Sequence, residues 1–256
     1  MFKNLVTLVT GGASGLGRAT ANRFALKGSQ VVFCDLPTSN GQEIVKEIGE
    51  NVHYIPADVT SETDVQNLVE EISKKYGKLD ILVNCAGLAD AHVTYNFRAK
   101  TPRKLDDFEK VLKTNVLGTF NVIRLSAGLI GKNEPDENGL RGVIVNTSGT
   151  EAFRGTLGQT ALAAACGAIH SMTRPLALDL SDQGIRVVSI APGFIRTPLL
   201  DYIPSETTEA ISQECIISPK RFGDPDEFAH VVQSIVTNPY INATTIEVSG
   251  GIQMNL

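Results

Sequence analysis

The sequence predicts an α/β protein with one doubly wound domain, in which a parallel sheet of seven strands carries helices on both faces. Seven short β-branched runs alternate with amphipathic stretches, and most of these runs are apolar throughout, as expected for parallel strands covered on both faces. A glycine-rich turn follows the first run. No linker or shift in composition divides the 256 residues, so we expect a single domain over 1–256.

The predicted strands are residues 5–10, 31–35, 52–55, 79–84, 141–147, 185–191 and 245–248. Between the third and fourth, Ser61 with Asp64 resembles a capping box that begins a helix, and Gly77 ends that helix. Two polar stretches, 88–104 and 131–139, are expected to form surface loops beside the carboxyl ends of the strands, where α/β proteins bind ligands.

Composition and charge exclude several classes of protein. Apolar residues make up 42% of the chain and the formal net charge is −5, which argues against direct binding to nucleic acid or to anionic membranes. No apolar run is long enough to span a bilayer, and the first strand begins too early to follow a secretory leader. The spacing of Cys34, Cys85, Cys166 and Cys215 fits neither a zinc site nor a disulfide scaffold, and indicates a reducing compartment.

The turn after the first strand predicts a dinucleotide site. It reads Thr10-Gly-Gly-Ala-Ser-Gly-Leu-Gly17, and such glycines let the backbone approach a pyrophosphate at the start of the next helix. Asp35 ends the second strand, where a carboxylate can accept a hydrogen bond from a ribose 2′-hydroxyl and repel a 2′-phosphate. The pattern favours NAD over NADP. The alternative is a structural turn beside a surface aspartate.

Further motifs give the whole chain a resemblance to the short-chain dehydrogenase/reductase family, which has a Rossmann-type fold. They are the Gly-rich turn, Asp58-Val59, Asn84-Cys-Ala-Gly87, Asn115, Pro192-Gly193 and Thr197-Pro198. The resemblance implies the following cofactor-binding residues: Gly11, Ser14, Gly15, Leu16, Gly17, Asp35, Asp58, Val59, Asn84, Ala86, Gly87, Pro192, Gly193 and Thr197.

Within that family, several segments are similar to the 3-hydroxyacyl-CoA dehydrogenases of type 2, also described as hydroxysteroid dehydrogenases. Among them are Asp35-Leu-Pro37, Asn133-Glu-Pro-Asp136 and Gly223-Asp-Pro225. This similarity implies an NAD-dependent oxidoreductase of the mitochondrial matrix, with the cytoplasm as the alternative. It also implies a homotetramer assembled through the helices at 106–128 and 157–180, and a possible protein partner.

The residues that carry the family's chemistry are changed. By the resemblance, the catalytic serine position is Gly149, the tyrosine position is Leu162 and the lysine position is Cys166, whereas Asn115 is retained. Leu162 has no ionisable proton, and Cys166 supplies no cation to lower the pKa of a phenol. Losing a positioned acid or base typically costs about 10² to 10⁴ in rate. These changes predict a catalytically degenerate, NAD-binding scaffold or sensor.

Two other interpretations are open. In one, the protein is an active oxidoreductase on hydroxyacyl-CoA or hydroxysteroid substrates, in which other side chains have taken over the chemistry. The candidates are Ser148, a thiolate–imidazolium pair of Cys166 with His170, and the loop tyrosines Tyr95 and Tyr202. In the other, the three positions were replaced deliberately in an engineered variant.

Overall fold

The computed structural model describes residues 2–201 and 203–253, and it confirms the predicted α/β fold. The strands found there are β1 (Val6–Thr10), β2 (Gln30–Asp35), β3 (Val52–Pro56), β4 (Ile81–Asn84), β5 (Tyr95–Asn96), β6 (Thr101–Pro102), β7 (Gly142–Thr147), β8 (Ile185–Pro192) and β9 (Thr245–Val248). The α-helices are α1 (Gly15–Leu26), α2 (Gly41–Ile48), α3 (Glu62–Tyr76), α4 (Leu105–Leu112), α5 (Thr119–Ile130), α6 (Thr160–Asp179), α7 (Ser205–Glu214) and α8 (Pro225–Thr237). No helix within the described ranges is both long and apolar enough to cross a membrane.

Seven of these strands form one parallel sheet in the order β3-β2-β1-β4-β7-β8-β9. The chain moves outward from β1 to β3, then returns to place β4 on the other side of β1. The strand order therefore reverses at β1 and β4. At such a switch point the loops that follow neighbouring strands separate, and the crevice between them receives ligands.

The sheet is buried on both faces because successive side chains of a strand point to opposite sides. In β1, Val9 packs into one apolar cluster, which also contains Phe24 and Phe228 from α1 and α8. Leu8, its neighbour, packs into the other cluster with Leu68 of α3. This double burial explains why the strands read as continuous apolar runs rather than alternating ones.

The ends of α3 follow the predicted local rules. The Ser61 hydroxyl accepts a hydrogen bond from the backbone N–H of Asp64 at 3.2 Å, which satisfies a donor that the first helical turn leaves free. Gly77 ends the helix with φ at 72°, a left-handed conformation that suits glycine. Here the sequence alone determines where the helix starts and stops.

One predicted loop position is wrong. Segment 131–139 follows α5 and lies at the amino ends of the strands, where Asn133 Nδ2 donates to the carbonyl oxygens of Leu79 and Arg141 at 2.7 and 2.8 Å. The reason is that α5 runs antiparallel to the strands. The segment that follows α5 therefore lies at the amino ends of the strands, opposite the groove. Segment 88–104 does follow the carboxyl end of β4, and it contains the small β5–β6 hairpin.

The two helical segments predicted for subunit contacts have slightly different bounds. Segment 106–128 corresponds to α4 and α5, which begin at Leu105 and end at Ile130 and are joined by a π-helical turn at Lys113–Gly118. Segment 157–180 corresponds to α6, which begins only at Thr160. The π-helical turn matters for the site because it carries Asn115.

Candidate active site and dinucleotide groove

A groove of about 510 Å³ lies at the carboxyl ends of β1, β2 and β4. It brings together ten of the residues that the sequence analysis assigned to the cofactor. They are Gly11, Ser14, Gly15, Leu16, Asp35, Asp58, Val59, Ala86, Gly87 and Thr197. The groove therefore occupies the switch point of the sheet.

The glycine-rich turn is shaped to approach a ligand closely. Gly11 has a φ of +66°, and a Cβ atom there would lie 2.8 Å from the backbone nitrogen of Ala86. Ser14 is the N-cap of α1, makes no side-chain capping bond, and is followed by no acidic residue in the first turn. The backbone N–H groups of this helix end are thus available to an anion, and the turn fits a pyrophosphate.

Asp35 is held firmly at the edge of the groove. Its carboxylate accepts hydrogen bonds from the backbone N–H groups of Ala13 at 3.0 Å and Leu36 at 2.8 Å. These bonds fix the orientation of the carboxylate beside the glycine-rich turn. A carboxylate so placed can also accept from a ribose 2′-hydroxyl, and its charge opposes a 2′-phosphate.

We expect Asp35→Ala to reverse or abolish a preference for NAD over NADP. Loss of a hydrogen bond to a charged acceptor should raise the Kd for NAD about tenfold or more, whereas the Kd for NADP should fall because the repulsion is gone. Calorimetric titration with both nucleotides measures the change. Exposed Glu137 offers a control, Glu137→Gln, that removes a charge away from the groove. Equal or tighter binding of NADP by the unaltered protein would contradict the assignment.

Other predicted cofactor residues support the groove without lining it. Asn84 is buried and its Nδ2 donates to Asn146 Oδ1 at 2.9 Å, which links the ends of β4 and β7. A Cβ atom on Gly17 would lie 2.2 Å from the carbonyl oxygen of Gly11, so this glycine lets α1 pack against the turn. Pro192 and Gly193 line a second cavity instead.

This second cavity, of about 160 Å³, adjoins the groove and shares Leu16, Thr197, Leu199 and residues 85–88 with it. The positions that the resemblance assigns to the catalytic groups, Asn115, Gly149, Leu162 and Cys166, all line it. Ser148, the candidate substitute for the serine, lines it as well. The fold thus brings together the residues at which the resemblance predicts the chemistry.

Asn115 is fixed by the loop that follows β4. Its Oδ1 accepts from the backbone N–H of Leu88 at 2.8 Å, and its Nδ2 donates to the Leu88 carbonyl oxygen at 2.9 Å. The surrounding π-helical turn, Lys113–Gly118, is a kind of irregularity that often accompanies functional sites. This side chain clamps the cavity wall through both of its polar groups.

Ser148 is buried, and its hydroxyl donates to the carbonyl oxygen of Cys166 at 2.8 Å. Its backbone N–H donates to Ile190 at the same distance. The proton of the Ser148 hydroxyl is therefore already hydrogen-bonded to the backbone of α6. In this arrangement Ser148 does not replace the orienting serine of the family.

The proposed pair of Cys166 and His170 is not formed. Burial, and next the charge of Glu151, raise the pKa of the Cys166 thiol to about 12, so the thiol stays protonated at neutral pH. His170 is exposed, contacts Thr245 Oγ1 through Nδ1 at 3.0 Å, and packs edge-on against Phe153. A thiolate–imidazolium pair needs a thiolate, which this cavity disfavours.

The loop tyrosines supply no replacement among the described residues. Tyr95 lies in β5, is 40% exposed and packs against Phe97, and it is absent from the described lining of both cavities. Tyr202 lies outside the described residues. Within the described ranges, no group of three or more His, Cys, Asp or Glu side chains is placed to hold a metal ion.

Glu151 is the residue that the sequence analysis missed. It lies in the short 3₁₀ turn Thr150–Ala152 after β7 and lines the second cavity. A Cβ atom on Gly149 would lie 2.4 Å from Glu151 Oε2 and 2.9 Å from Cys166 Sγ. The carboxyl group therefore fills space that a side chain at position 149 would need, and burial raises its pKa. In the sequence, the position of Glu151 two residues after Gly149 could have identified it as a cavity residue.

Comparisons with known proteins agree with this geometry. Residues 5–208 match the family described as short chain dehydrogenase. The 3-hydroxyacyl-CoA dehydrogenase type-2 of Drosophila melanogaster is 50% identical over 99% of both chains. The crystal structure of a protein of that name from Mycobacterium avium superposes with a TM-score of 0.91 at 36% identity, over 99% of this chain and 98% of the other.

A second solved structure is informative about the groove. It is a 3-ketoacyl-(acyl-carrier-protein) reductase from Brucella melitensis complexed with NADH, with a TM-score of 0.84 at 29% identity, covering 98% of this chain and 99% of the other. The chain belongs to the short-chain dehydrogenase/reductase family and has its NAD(H)-binding Rossmann fold. Among its members it resembles the 3-hydroxyacyl-CoA dehydrogenases of type 2.

Proposed function

We propose that the protein is an NAD(H)-binding member of this family that is catalytically degenerate and acts as a scaffold or sensor. The observation that carries the proposal is the content of the second cavity. Leu162 and Cys166 stand at the positions of the family's tyrosine and lysine, and Glu151 fills the space beside Gly149. The dinucleotide groove, in contrast, keeps the glycine-rich turn, the uncapped start of α1 and the fixed carboxylate of Asp35.

The physical reason lies in the coupling of two transfers. Bound NAD(H) accepts or supplies the hydride in this family, and a protein group must move a proton at the substrate oxygen. The transition state gathers negative charge on that oxygen. Leu162 has no proton to move, Cys166 is neutral, and a carboxylate at Glu151 would oppose the charge instead of stabilising it.

The decisive experiment measures binding and turnover on one preparation. We expect calorimetry to detect binding of NADH. We expect no reduction of acetoacetyl-CoA, and no oxidation of 3-hydroxyacyl-CoA or hydroxysteroids, above about 10⁻² to 10⁻⁴ of an ordinary enzyme rate near 1 per second. A turnover close to 1 per second would refute the proposal. Failure to bind both NAD and NADH would refute it as well.

An active oxidoreductase with non-standard residues is the second candidate, and Glu151 is the observation that favours it. Its carboxyl is titratable, lies in the cavity and has a raised pKa because it is partly buried, as general acids often do. Turnover by the unaltered protein that disappears in Glu151→Gln would establish this candidate. Turnover that persists in that variant would point to another group.

We further propose a homotetramer, placed in the mitochondrial matrix by the family resemblance. The exposed apolar side chains of α5, α6 and the π-helical turn support the assembly: Leu117 is 62%, Phe120 43% and Leu178 61% exposed. Phe120 also lines a shallow apolar depression with residues of α6, and such patches mark subunit contacts. We expect light scattering to give a tetramer at micromolar concentration. A monomer would contradict the assembly.

A further inference from the structure

The Glu151 carboxylate has no basic partner in the described part of the chain. None of the ion pairs found there includes it, and no described residue lining the cavity is a lysine, arginine or histidine. The neighbouring titratable group, Cys166, is a protonated thiol at neutral pH because its pKa is raised to about 12. The described lining of the cavity therefore contains one carboxyl group and no counter-charge.

The remainder of the cavity wall is largely apolar. It includes Leu88, Leu162, Ile169, Leu199 and Leu200. A carboxylate removed from water into such surroundings is costly unless it takes up a proton or meets a cation. A ligand that brings its own positive charge and an apolar body would satisfy both parts of this wall.

We propose that the cavity binds a small organic ammonium ion, a protonated primary or secondary amine with an apolar body, and that Glu151 holds its charged nitrogen. The inference builds on the proposed function, because the cation occupies the substrate position of a protein that does not convert it. An ammonium N–H donates to a carboxylate in a charge-assisted hydrogen bond, which is stronger than a bond between neutral groups.

The same cavity wall disfavours carbonyl substrates and acidic ligands. A carbonyl substrate develops negative charge during reduction, and this cavity offers it no cation. An acidic ligand would face Glu151 directly and be repelled. Neutral alcohols of the same shape fill the apolar space equally well but lack the ionic bond, and they are therefore the matched comparison.

The test compares cyclohexylmethylamine with cyclohexylmethanol on the full chain, by calorimetry or ligand-observed NMR, with and without NADH. At about pH 8 an aliphatic amine is protonated, as lysine is. We expect the amine to bind about tenfold or more tightly than the alcohol, and Glu151→Gln to remove this difference. Glu137→Gln, at an exposed glutamate outside the cavity, should leave the difference intact.

A second variant tests the same bond while keeping the glutamate. In Gly149→Ser the new Cβ would lie 2.4 Å from Glu151 Oε2, so the carboxyl must move and the preference for the amine should fall. Thermal unfolding of each variant checks that it is folded. Equal affinities in the unaltered protein, or a preference retained in Glu151→Gln, would overturn the inference. Turnover of hydroxyacyl-CoA would refute the proposed function alone and leave the binding result standing.

Discussion

Restoring the family's three catalytic side chains, as G149S, L162Y and C166K, is expected to leave the protein nearly inactive unless Glu151 is also replaced. A side chain at 149 would place its Cβ 2.4 Å from Glu151 Oε2, so the serine and the glutamate compete for one space. The carboxylate would also pair with the new lysine and cancel the charge that activates the tyrosine. Adding E151A should raise turnover over the triple variant by about 10² to 10⁴.

The measurement is NAD reduction with 3-hydroxyacyl-CoA, followed for the parent, the triple variant and the quadruple variant. E137A added to the triple variant is the matched control, because it removes an exposed glutamate outside the cavity and should not restore activity. Equal rates for the triple and quadruple variants would show that Glu151 does not obstruct the site. NADH binding is measured for every variant, so that a difference in turnover reports on the chemical step and not on loss of the nucleotide.

Gly17→Ala is expected to abolish measurable NADH binding and to lower the free energy of unfolding by about 1–3 kcal/mol. The new methyl group would lie 2.2 Å from the carbonyl oxygen of Gly11 and 2.7 Å from its carbonyl carbon. Both are backbone atoms, so no flexible side chain can move aside, and α1 must shift away from the turn. Calorimetry and denaturant unfolding measure the two effects.

Gly128→Ala is the matched control for this prediction. Gly128 also lies in a helix, α5, but a Cβ atom there would meet nothing within 4 Å. The same substitution should leave NADH binding unchanged, because Gly128 is outside the described lining of the groove. If Gly17→Ala binds NADH as the unaltered protein does, close packing of α1 against the turn is not required.

Sequence alone determined the parallel sheet and the nucleotide groove. The seven strands of the sheet lie where the apolar runs predicted them, since burial on both faces leaves a direct trace in composition. The turn around Gly11 and the end of α3 at Gly77 were predictable because both positions have positive φ values, which glycine adopts readily. Asp35 was predictable because it is the last residue of an otherwise largely apolar strand.

Tertiary structure decided what the second cavity contains. Ser148 reaches across to the carbonyl of Cys166, Asn115 is clamped by Leu88, and Glu151 turns into the space beside Gly149. Tertiary structure also places segment 131–139 at the amino ends of the strands, on the side opposite the groove. Each of these outcomes depends on chain segments that meet only in the folded protein. Local sequence patterns encode the helix or strand that a residue joins, whereas the volume left free by a missing side chain is filled by whichever neighbour the fold brings close.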